Sequence, residues 1–99
     1  MNIYLLSQNV NSGYDTYDSM VVAAKNEEDA RTIYPSPYVT HTSSEGWMGT
    51  YSRGQNVGKE YSVDGYDWVN YRDIYKINVE LIGSTDKERG VILASFNAG

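Results

Sequence analysis

The stretch GYDTYDSMVVAAKNEEDARTIY, residues 13–34, decides the fold. Its segment 19–24, SMVVAA, is almost entirely apolar, which predicts a strand near the middle of a sheet. Asn26 then has the character of a helix N-cap, with Asp29 reaching back toward it and acidic residues filling the first turn. We therefore predict a short helix over residues 27–34, ended by Pro35 and packed on the sheet.

Three further segments have the pattern of strands. Residues 2–8, NIYLLSQ, and residues 91–97, VILASFN, are short runs of strand-forming residues. Residues 75–82, YKINVELI, alternate, and the predicted inward face is Tyr75, Ile77, Val79 and Leu81. The expected fold is a single α+β domain over residues 1–99, with a small antiparallel β-sheet, a β-β-α-β-β core and one short helix.

Residues 35–74 form an insertion between the helix and the third core strand. They hold two prolines, five glycines and both tryptophans, with little apolar periodicity. The dipeptide Asp64–Gly65 favours a two-residue hairpin turn, so a hairpin is predicted at about 59–71. An irregular glycine-rich lobe is expected over residues 42–58.

Composition limits the classes of partner. The net charge of −5 and a pI near 4.6 argue against direct binding to nucleic acid, which depends on clustered Lys and Arg. The absence of cysteine agrees with a reducing cytoplasm, and no segment has the pattern of a signal peptide or a membrane span. Ten tyrosines supply much of the apolar mass, and such chains often complete their core at an interface, so a homo-oligomer is expected.

The chain has no recognisable catalytic set. His41 is the only histidine, lacks the ligands of a zinc site, and is assigned to a loop without a functional role. Asp15 and Asp18 are interpreted as residues that close turns. The glycines match no phosphate-binding fingerprint. We therefore expect a protein that is not an enzyme and that uses no metal and no cofactor.

Aromatic and polar residues do cluster in the expected loops. Such a combination of aromatic rings, carboxylates and a guanidinium suits a nucleotide-type ligand. Rings stack on bases, carboxylates accept hydrogen bonds from hydroxyl or amino groups, and arginine donates two parallel hydrogen bonds to a phosphate. The candidate ligand-binding residues are Tyr14, Asp15, Tyr17, Asp18, Trp47, Tyr51 and Arg53, with Arg31 and Arg72 as further phosphate contacts. The alternative is that the tyrosines simply complete a small core, and the residues alone leave both open.

Two segments carry a resemblance. YDTYDSMVVAAKNEEDAR (14–31) and the ending ELIG…GVILASFNAG (80–99) resemble a family of small bacteriophage proteins that share a strand, a short Glu/Ala/Arg helix, a variable middle and a C-terminal Ser-Phe-Asn-Ala-Gly. The likeness covers the two ends of the chain and leaves residues 35–74 unmatched. The apolar residues before the tail indicate that Asn97, Ala98 and Gly99 dock against a neighbouring element or subunit.

The resemblance implies a role in blunting host defence, in the cytoplasm of an infected bacterium. Within that class, the aromatic, carboxylate and arginine content resembles that of sponges, which sequester cyclic-nucleotide or ADP-ribose immune signals; this is an analogy of class. The first alternative is a protein–protein inhibitor of a host nucleic-acid-targeting effector, in the manner of an anti-CRISPR or anti-restriction protein. The second is an accessory phage protein without a ligand.

Overall fold

The computed structural model describes residues 1–98 and contains two antiparallel sheets and one α-helix. The strands are β1 (Asn2–Ser7), β2 (Thr16–Ala24), β3 (Val39–Ser43), β4 (Gly46–Thr50), β5 (Glu60–Ser62), β6 (Asn78–Ser84) and β7 (Gly90–Asn97). The helix α1 spans Glu27–Arg31, and a 3-10 helix spans Tyr71–Lys76. This arrangement confirms the predicted small α+β fold.

The larger sheet has the order β6-β1-β2-β7 and is antiparallel throughout. Its four strands and α1 are the predicted β-β-α-β-β core, and β2 lies in the interior of the sheet as expected. Tyr4 pairs with Val22 and Leu6 with Met20, so these side chains share one face. All four are buried there, and they form the inner face of the hydrophobic core.

The insertion covers that inner face. Trp47, Trp68 and Val69 come from residues 35–74 and belong to the same core as Leu6 and Val22. Trp68 is completely buried, and the Nε1 atom of Trp47 donates to the Val69 carbonyl at 2.9 Å. The two tryptophans therefore form much of the second layer that covers the sheet, because the one short helix is too small to cover it alone.

The predicted N-cap of α1 is confirmed at Asn26, whereas Asp29 reaches back to Lys25, one residue before the cap, and not to Asn26 as a capping box requires. Asn26 Oδ1 accepts from the Asp29 backbone N–H at 2.8 Å, and Asp29 Oδ2 accepts from the Lys25 backbone N–H at 3.1 Å. The helix ends at Arg31, however, three residues before the predicted end at residue 34. The N–H groups of Thr32 and Ile33 bond three residues back, to Asp29 and Ala30, so the last turn tightens before the proline is reached.

The prediction for the insertion was wrong in its details. Residues 39–50 form the β3–β4 hairpin, where an irregular lobe was expected, and β5 adds to β4 as a third strand. Asp64–Gly65 forms a corner between β5 and the 3-10 helix. Asp64 Oδ1 accepts from the backbone N–H groups of Trp47, at 3.2 Å, and Tyr71, at 2.8 Å, and these long-range bonds outweigh the local hairpin preference.

The third core strand also begins later than predicted. Tyr71–Lys76 is a 3-10 helix, and β6 starts only at Asn78. Ile77 is buried and Val79 is half-buried, as expected, but Tyr75 and Leu81 are exposed. Tyr75 precedes the strand, and Leu81 lies on the edge strand β6, where its side chain stays 60% exposed.

Candidate functional site

The Tyr/Asp loop between β1 and β2 is attached to the end of β7. The Asp15 backbone N–H donates to the Asn97 carbonyl, and Asn97 Nδ2 donates to the Gly13 carbonyl at 2.7 Å. The rings of Tyr17 and Phe96 lie 4.9 Å apart. The predicted docking of the C-terminal tail is thus confirmed as far as Asn97, while Gly99 lies outside the described residues.

The loop residues do not enclose a cavity in the single chain. Tyr14 is 78% exposed, and Asp18 is exposed and accepts a hydrogen bond from the neighbouring Ser19 hydroxyl. Asp15 has a φ of 62°, a left-handed conformation that aspartate tolerates in turns. The structural role of this loop is to hold the end of β7.

Two other predicted ligand residues have structural partners. Arg31 Nη1 donates to the carbonyls of Ile74, at 2.8 Å, and Ile77, at 2.6 Å, and Nη2 reaches Glu27 at 3.0 Å. These bonds join α1 to the 3-10 helix and leave little of the guanidinium for a phosphate. Trp47 is only 2% exposed, so its ring can form the floor of a site but cannot stack on a ligand in the open.

Tyr51 and Arg53 share a cleft that Tyr38 and Tyr61 also line. The Tyr51 and Tyr61 rings lie 4.6 Å apart, and Arg53 is exposed at the margin. Arg72 is exposed on the 3-10 helix, away from this cleft. Of the predicted ligand residues, Tyr51 and Arg53 are therefore the pair that the structure brings together at one cavity.

A second cavity is a groove of about 610 Å³ between the segment 32–42 and the start of β7. Pro35 and Pro37 lie between α1 and β3 in the chain, where proline prevents continuation of either regular element. The lining residues are Thr32, Ile33, Tyr34, Pro35, Ser36, Pro37, Val39, Thr40, His41, Thr42, Trp47, Tyr71, Arg89, Gly90 and Val91. We call this cavity the β7 groove.

The basic side chains that line the β7 groove are Arg89 and His41. Arg89 Nε donates to Asp29 Oδ1 at 2.8 Å, and Nη2 donates to Thr32 Oγ1 at 2.9 Å. Its remaining nitrogen, Nη1, makes no hydrogen bond within residues 1–98 and is therefore available to a ligand. Among residues 1–98 no carboxylate lines the groove, although the chain carries a net charge of −5.

His41 lies on β3 and lines the groove. The prediction that it lies in a loop was therefore wrong. Its Nδ1 atom is 2.8 Å from the Thr40 hydroxyl, and Nε2 is 2.8 Å from Glu60 Oε1 without the alignment of a hydrogen bond. The β3–β4–β5 sheet thus holds the imidazole between a hydroxyl and a carboxylate, at one side of the groove.

The groove lining also includes Tyr34, whose hydroxyl donates to the Asp67 carboxylate. Burial raises the pKa of Tyr34 well above its ordinary value, and the hydrogen bond to Asp67 adds to the increase. Burial also raises the pKa of Tyr17, with a further contribution from the Asp67 charge. Both phenols therefore remain neutral, and Tyr34 serves as a fixed aromatic wall and cannot act as a base near neutral pH.

Sequence reasoning missed Arg89 and Tyr34 and set His41 aside. These residues are far apart in the chain, on the turn before β7, the segment after α1 and β3, so no short motif could have joined them. The available signal was weak: an arginine directly before an uncharged strand, and a lone histidine in an alternating segment.

No helix within residues 1–98 is long and apolar enough to cross a membrane. No protein-family model, curated protein or solved structure matches the chain. The groove and its residues are therefore the basis for a functional conclusion.

Proposed function

We propose that the protein is a non-catalytic binder that sequesters a small nucleotide-type immune signal, a cyclic nucleotide or an ADP-ribose derivative, in the β7 groove. In this proposal it is a phage-encoded inhibitor of host defence that acts in the cytoplasm of the infected cell. The observation that carries the proposal is the groove itself: an aromatic-walled cavity with a guanidinium at its rim and no carboxylate in its lining.

The dimensions and chemistry support such a ligand. A volume of about 610 Å³ lies within the range of small-molecule sites. Arg89 Nη1 is free to donate to a phosphate oxygen, and the Asp29 and Thr32 contacts hold the guanidinium in place beforehand. The rings of Tyr34, Trp47 and Tyr71 supply the apolar wall against which a base or ribose packs.

The first experiment measures thermal stability of the wild-type protein against a panel of cyclic di- and trinucleotides, cyclic ADP-ribose isomers and ADP-ribose conjugates. A ligand present at 100 times its dissociation constant stabilises the fold by about 2.7 kcal/mol, which raises Tm by several degrees in a domain of this size. A flat response across the panel would contradict the proposal for these ligands.

Two arginine variants then locate the site. Arg89→Ala removes one charge-assisted hydrogen bond and is expected to weaken ligand binding by about tenfold or more in calorimetric titration. Arg53→Ala, in the separate cleft, is the matched control and should bind as the wild type does. The opposite pattern would move the site to the cleft of Tyr51 and Arg53.

A second candidate function, protein–protein inhibition of a host effector, is favoured by one observation. Tyr14, Tyr38, Tyr66 and Tyr75 are each more than two-thirds exposed, and exposed tyrosines on an acidic chain suit contact with a basic partner surface. Such binding should weaken steeply as salt increases, whereas binding within the β7 groove should depend less on salt. Affinity measured at two salt concentrations separates the two functions.

A further inference from the structure

A third, smaller cavity lies between the segment 34–39 and residues 61–67, and it combines several tyrosines with one carboxylate. Its volume is about 180 Å³. The lining includes Tyr34, Tyr38, Tyr61, Tyr66 and Asp67, and we call these five residues the tyrosine cage. Among residues 1–98, no lysine, arginine or histidine lines this cavity. Its chemistry is therefore opposite to that of the β7 groove, which has basic side chains and no carboxylate among the same residues.

The carboxylate of the cage has no cationic partner. Asp67 is half-buried, and its Oδ1 atom accepts from the Tyr34 hydroxyl. Within residues 1–98 its Oδ2 atom accepts no hydrogen bond, and Asp67 takes part in no ion pair. The pKa of Tyr17 is raised by burial and then by the Asp67 charge, so this charge acts on its surroundings. A half-buried carboxylate without a counter-charge favours the binding of a cation.

Two of the four rings are held in position by contacts outside the cage. Tyr34 is buried, and its ring lies edge-on to Trp47 with the centroids 5.0 Å apart. The Tyr61 ring lies 4.6 Å from that of Tyr51 and passes over Gly49, where an added Cβ would overlap the phenol. These two walls exist before any ligand arrives, which reduces the entropy lost on binding.

The other two rings form the open side of the cage. Tyr38 is 75% exposed and Tyr66 is 77% exposed, although both line the cavity. A solute therefore has access to the Asp67 carboxylate past these two side chains. Exposed tyrosines at a cavity with an unpaired charge also have a binding role available to them that isolated surface tyrosines lack.

We propose that the tyrosine cage binds a quaternary ammonium group. Aromatic rings attract a cation through their quadrupole, and quaternary ammonium ions are recognised by several such rings around one charge. The carboxylate of Asp67 adds the opposite charge. A quaternary nitrogen has no N–H group and so needs no hydrogen-bond acceptors, whereas a primary ammonium has three donors to satisfy. A cavity of about 180 Å³ is smaller than the roughly 300–1,000 Å³ of sites that enclose a whole drug-sized ligand, so it suits a single head group.

The first test is an NMR titration of the wild-type protein with choline chloride at constant ionic strength. Choline is expected to shift the backbone amide signals of residues 65–68 and to saturate them. Dimethylbutanol, in which carbon replaces the choline nitrogen, should bind at least fivefold more weakly, and so should methylammonium chloride. Absence of a saturable shift with choline, or equal affinity for the neutral alcohol or for methylammonium, would overturn the proposal.

Variants of Tyr66 test the contribution of an aromatic ring. Tyr66→Leu keeps an apolar side chain and removes the ring, and it is expected to weaken choline binding by about two- to fivefold, the loss of one exposed cation–π contact. Tyr66→Phe should bind as the wild type does. Tyr14→Leu is the matched control, because Tyr14 is 78% exposed and does not line the cavity. If Tyr66→Leu binds choline with wild-type affinity, the rings do not form the site.

Asp67→Asn tests the charge. It keeps the side-chain shape, and it is expected to weaken choline binding by about tenfold while the weak binding of dimethylbutanol stays the same. Asp86→Asn, in the exposed turn before β7, is the matched control. Because Asp67 also accepts from Tyr34, the amide spectrum of the variant shows whether the fold is intact, and Tyr66→Leu decides the question if it is not. Unchanged choline affinity in a folded Asp67→Asn would refute the proposed role of the carboxylate.

The ammonium group can belong to a small molecule or to a trimethylated lysine of another protein. A short peptide with trimethyllysine, compared with the same peptide with unmodified lysine, separates these sources. Tighter binding of the trimethylated peptide than of choline assigns the cage to a protein partner, and equal or weaker binding assigns it to a small molecule. Choline contains neither a base nor a phosphate, so its binding is independent of the function proposed for the β7 groove, and either proposal can fail without the other.

Discussion

Asp29 Oδ1 accepts a hydrogen bond from Arg89 Nε at 2.8 Å, across 60 residues of sequence. The same carboxylate accepts from the Lys25 backbone N–H through Oδ2, at 3.1 Å. One side chain thus begins α1, and it also holds the arginine at the rim of the β7 groove. The geometry of the groove consequently depends on the ionised form of Asp29.

This contact predicts a dependence of stability on acidic pH. Burial acts to raise the pKa of Asp29, but the hydrogen bonds from Lys25 and Arg89 and the Arg89 charge outweigh it and hold the pKa below 3.8. A depressed folded-state pKa contributes stability above the unfolded-state pKa, and this contribution is lost as the pH falls through the folded-state value. We expect the destabilisation caused by Asp29→Asn to be full at pH 6 and to shrink below about pH 4.

The measurement is urea unfolding of both proteins across this pH range. Asp86→Asn, in the exposed turn before β7, makes the same carboxylate-to-amide change and is the control for the substitution itself. A destabilisation by Asp29→Asn that is equal at pH 6 and at pH 3 would show that the carboxylate charge contributes nothing.

For Tyr34 we expect stability to decrease as the pH rises into the alkaline range, the opposite direction to that expected for Asp29. Its raised pKa means that the unfolded chain releases the phenol proton near pH 10.0 while the folded chain retains it. The stability from the Tyr34–Asp67 contact is therefore present below about pH 10 and declines above it. We expect Tyr34→Phe to be less stable than the wild type at pH 8, with the difference shrinking above pH 10.

Thermal unfolding at several pH values provides the comparison for Tyr34. Tyr14→Phe is the control, because Tyr14 is 78% exposed and its hydroxyl makes no hydrogen bond in the described residues. If the Tm of both phenylalanine variants changes with pH as the Tm of the wild type does, up to pH 11, the Tyr34–Asp67 hydrogen bond does not make stability depend on pH.

Arg31 is expected to stabilise the fold. Arg31→Ala removes the donors to the Ile74 and Ile77 carbonyls, and hydrogen bonds from a charged group contribute about 1.5–3 kcal/mol. We expect the variant to lose about 2–3 kcal/mol of unfolding free energy, which lowers Tm by about 10 °C or more in a domain of this size.

The control for Arg31 is Arg53→Ala, since Arg53 is exposed and forms no ion pair within residues 1–98. Its free energy of unfolding should stay within about 0.5 kcal/mol of the wild type. If the two variants are equally stable, the hydrogen bonds of Arg31 do not stabilise the fold, and its guanidinium is available to a ligand.

Gly46 is the glycine for which the structure predicts the largest local cost. It has a φ of +90°, and an added Cβ would overlap the Asp64 carboxyl group. Asp64 cannot move freely, because it accepts from the backbone N–H groups of Trp47 and Tyr71. We expect Gly46→Ala to cost about 1–3 kcal/mol from overpacking, in addition to the backbone strain of about 1–2 kcal/mol.

Gly54→Ala isolates the strain, because Gly54 has a φ of +85° and open space around its Cα. Chemical denaturation should rank Gly46→Ala as the less stable of the two. If both variants lose the same free energy, the clash with Asp64 is relieved at no cost.

The amino-acid sequence by itself determined the β-β-α-β-β core. The signals for this core are local: the apolar runs at 19–24 and 91–97, and the Asn26 cap. The hydrogen bonds that these signals predict form between adjacent strands, for the apolar runs, and between neighbouring residues, for the cap. Composition alone also sufficed to identify a chain with few aliphatic residues and many tyrosines. These conclusions needed no knowledge of distant contacts.

Only the tertiary structure decided the insertion and the candidate site. Asp64–Gly65 has the local pattern of a hairpin, yet Asp64 bonds to Trp47 and Tyr71 and makes a corner. Arg31 looks free in the sequence but donates to carbonyls more than forty residues away. His41 and Arg89 meet at the β7 groove because two sheets and a proline-containing segment converge there. Such contacts depend on packing between remote segments, and no short pattern of residues encodes that packing.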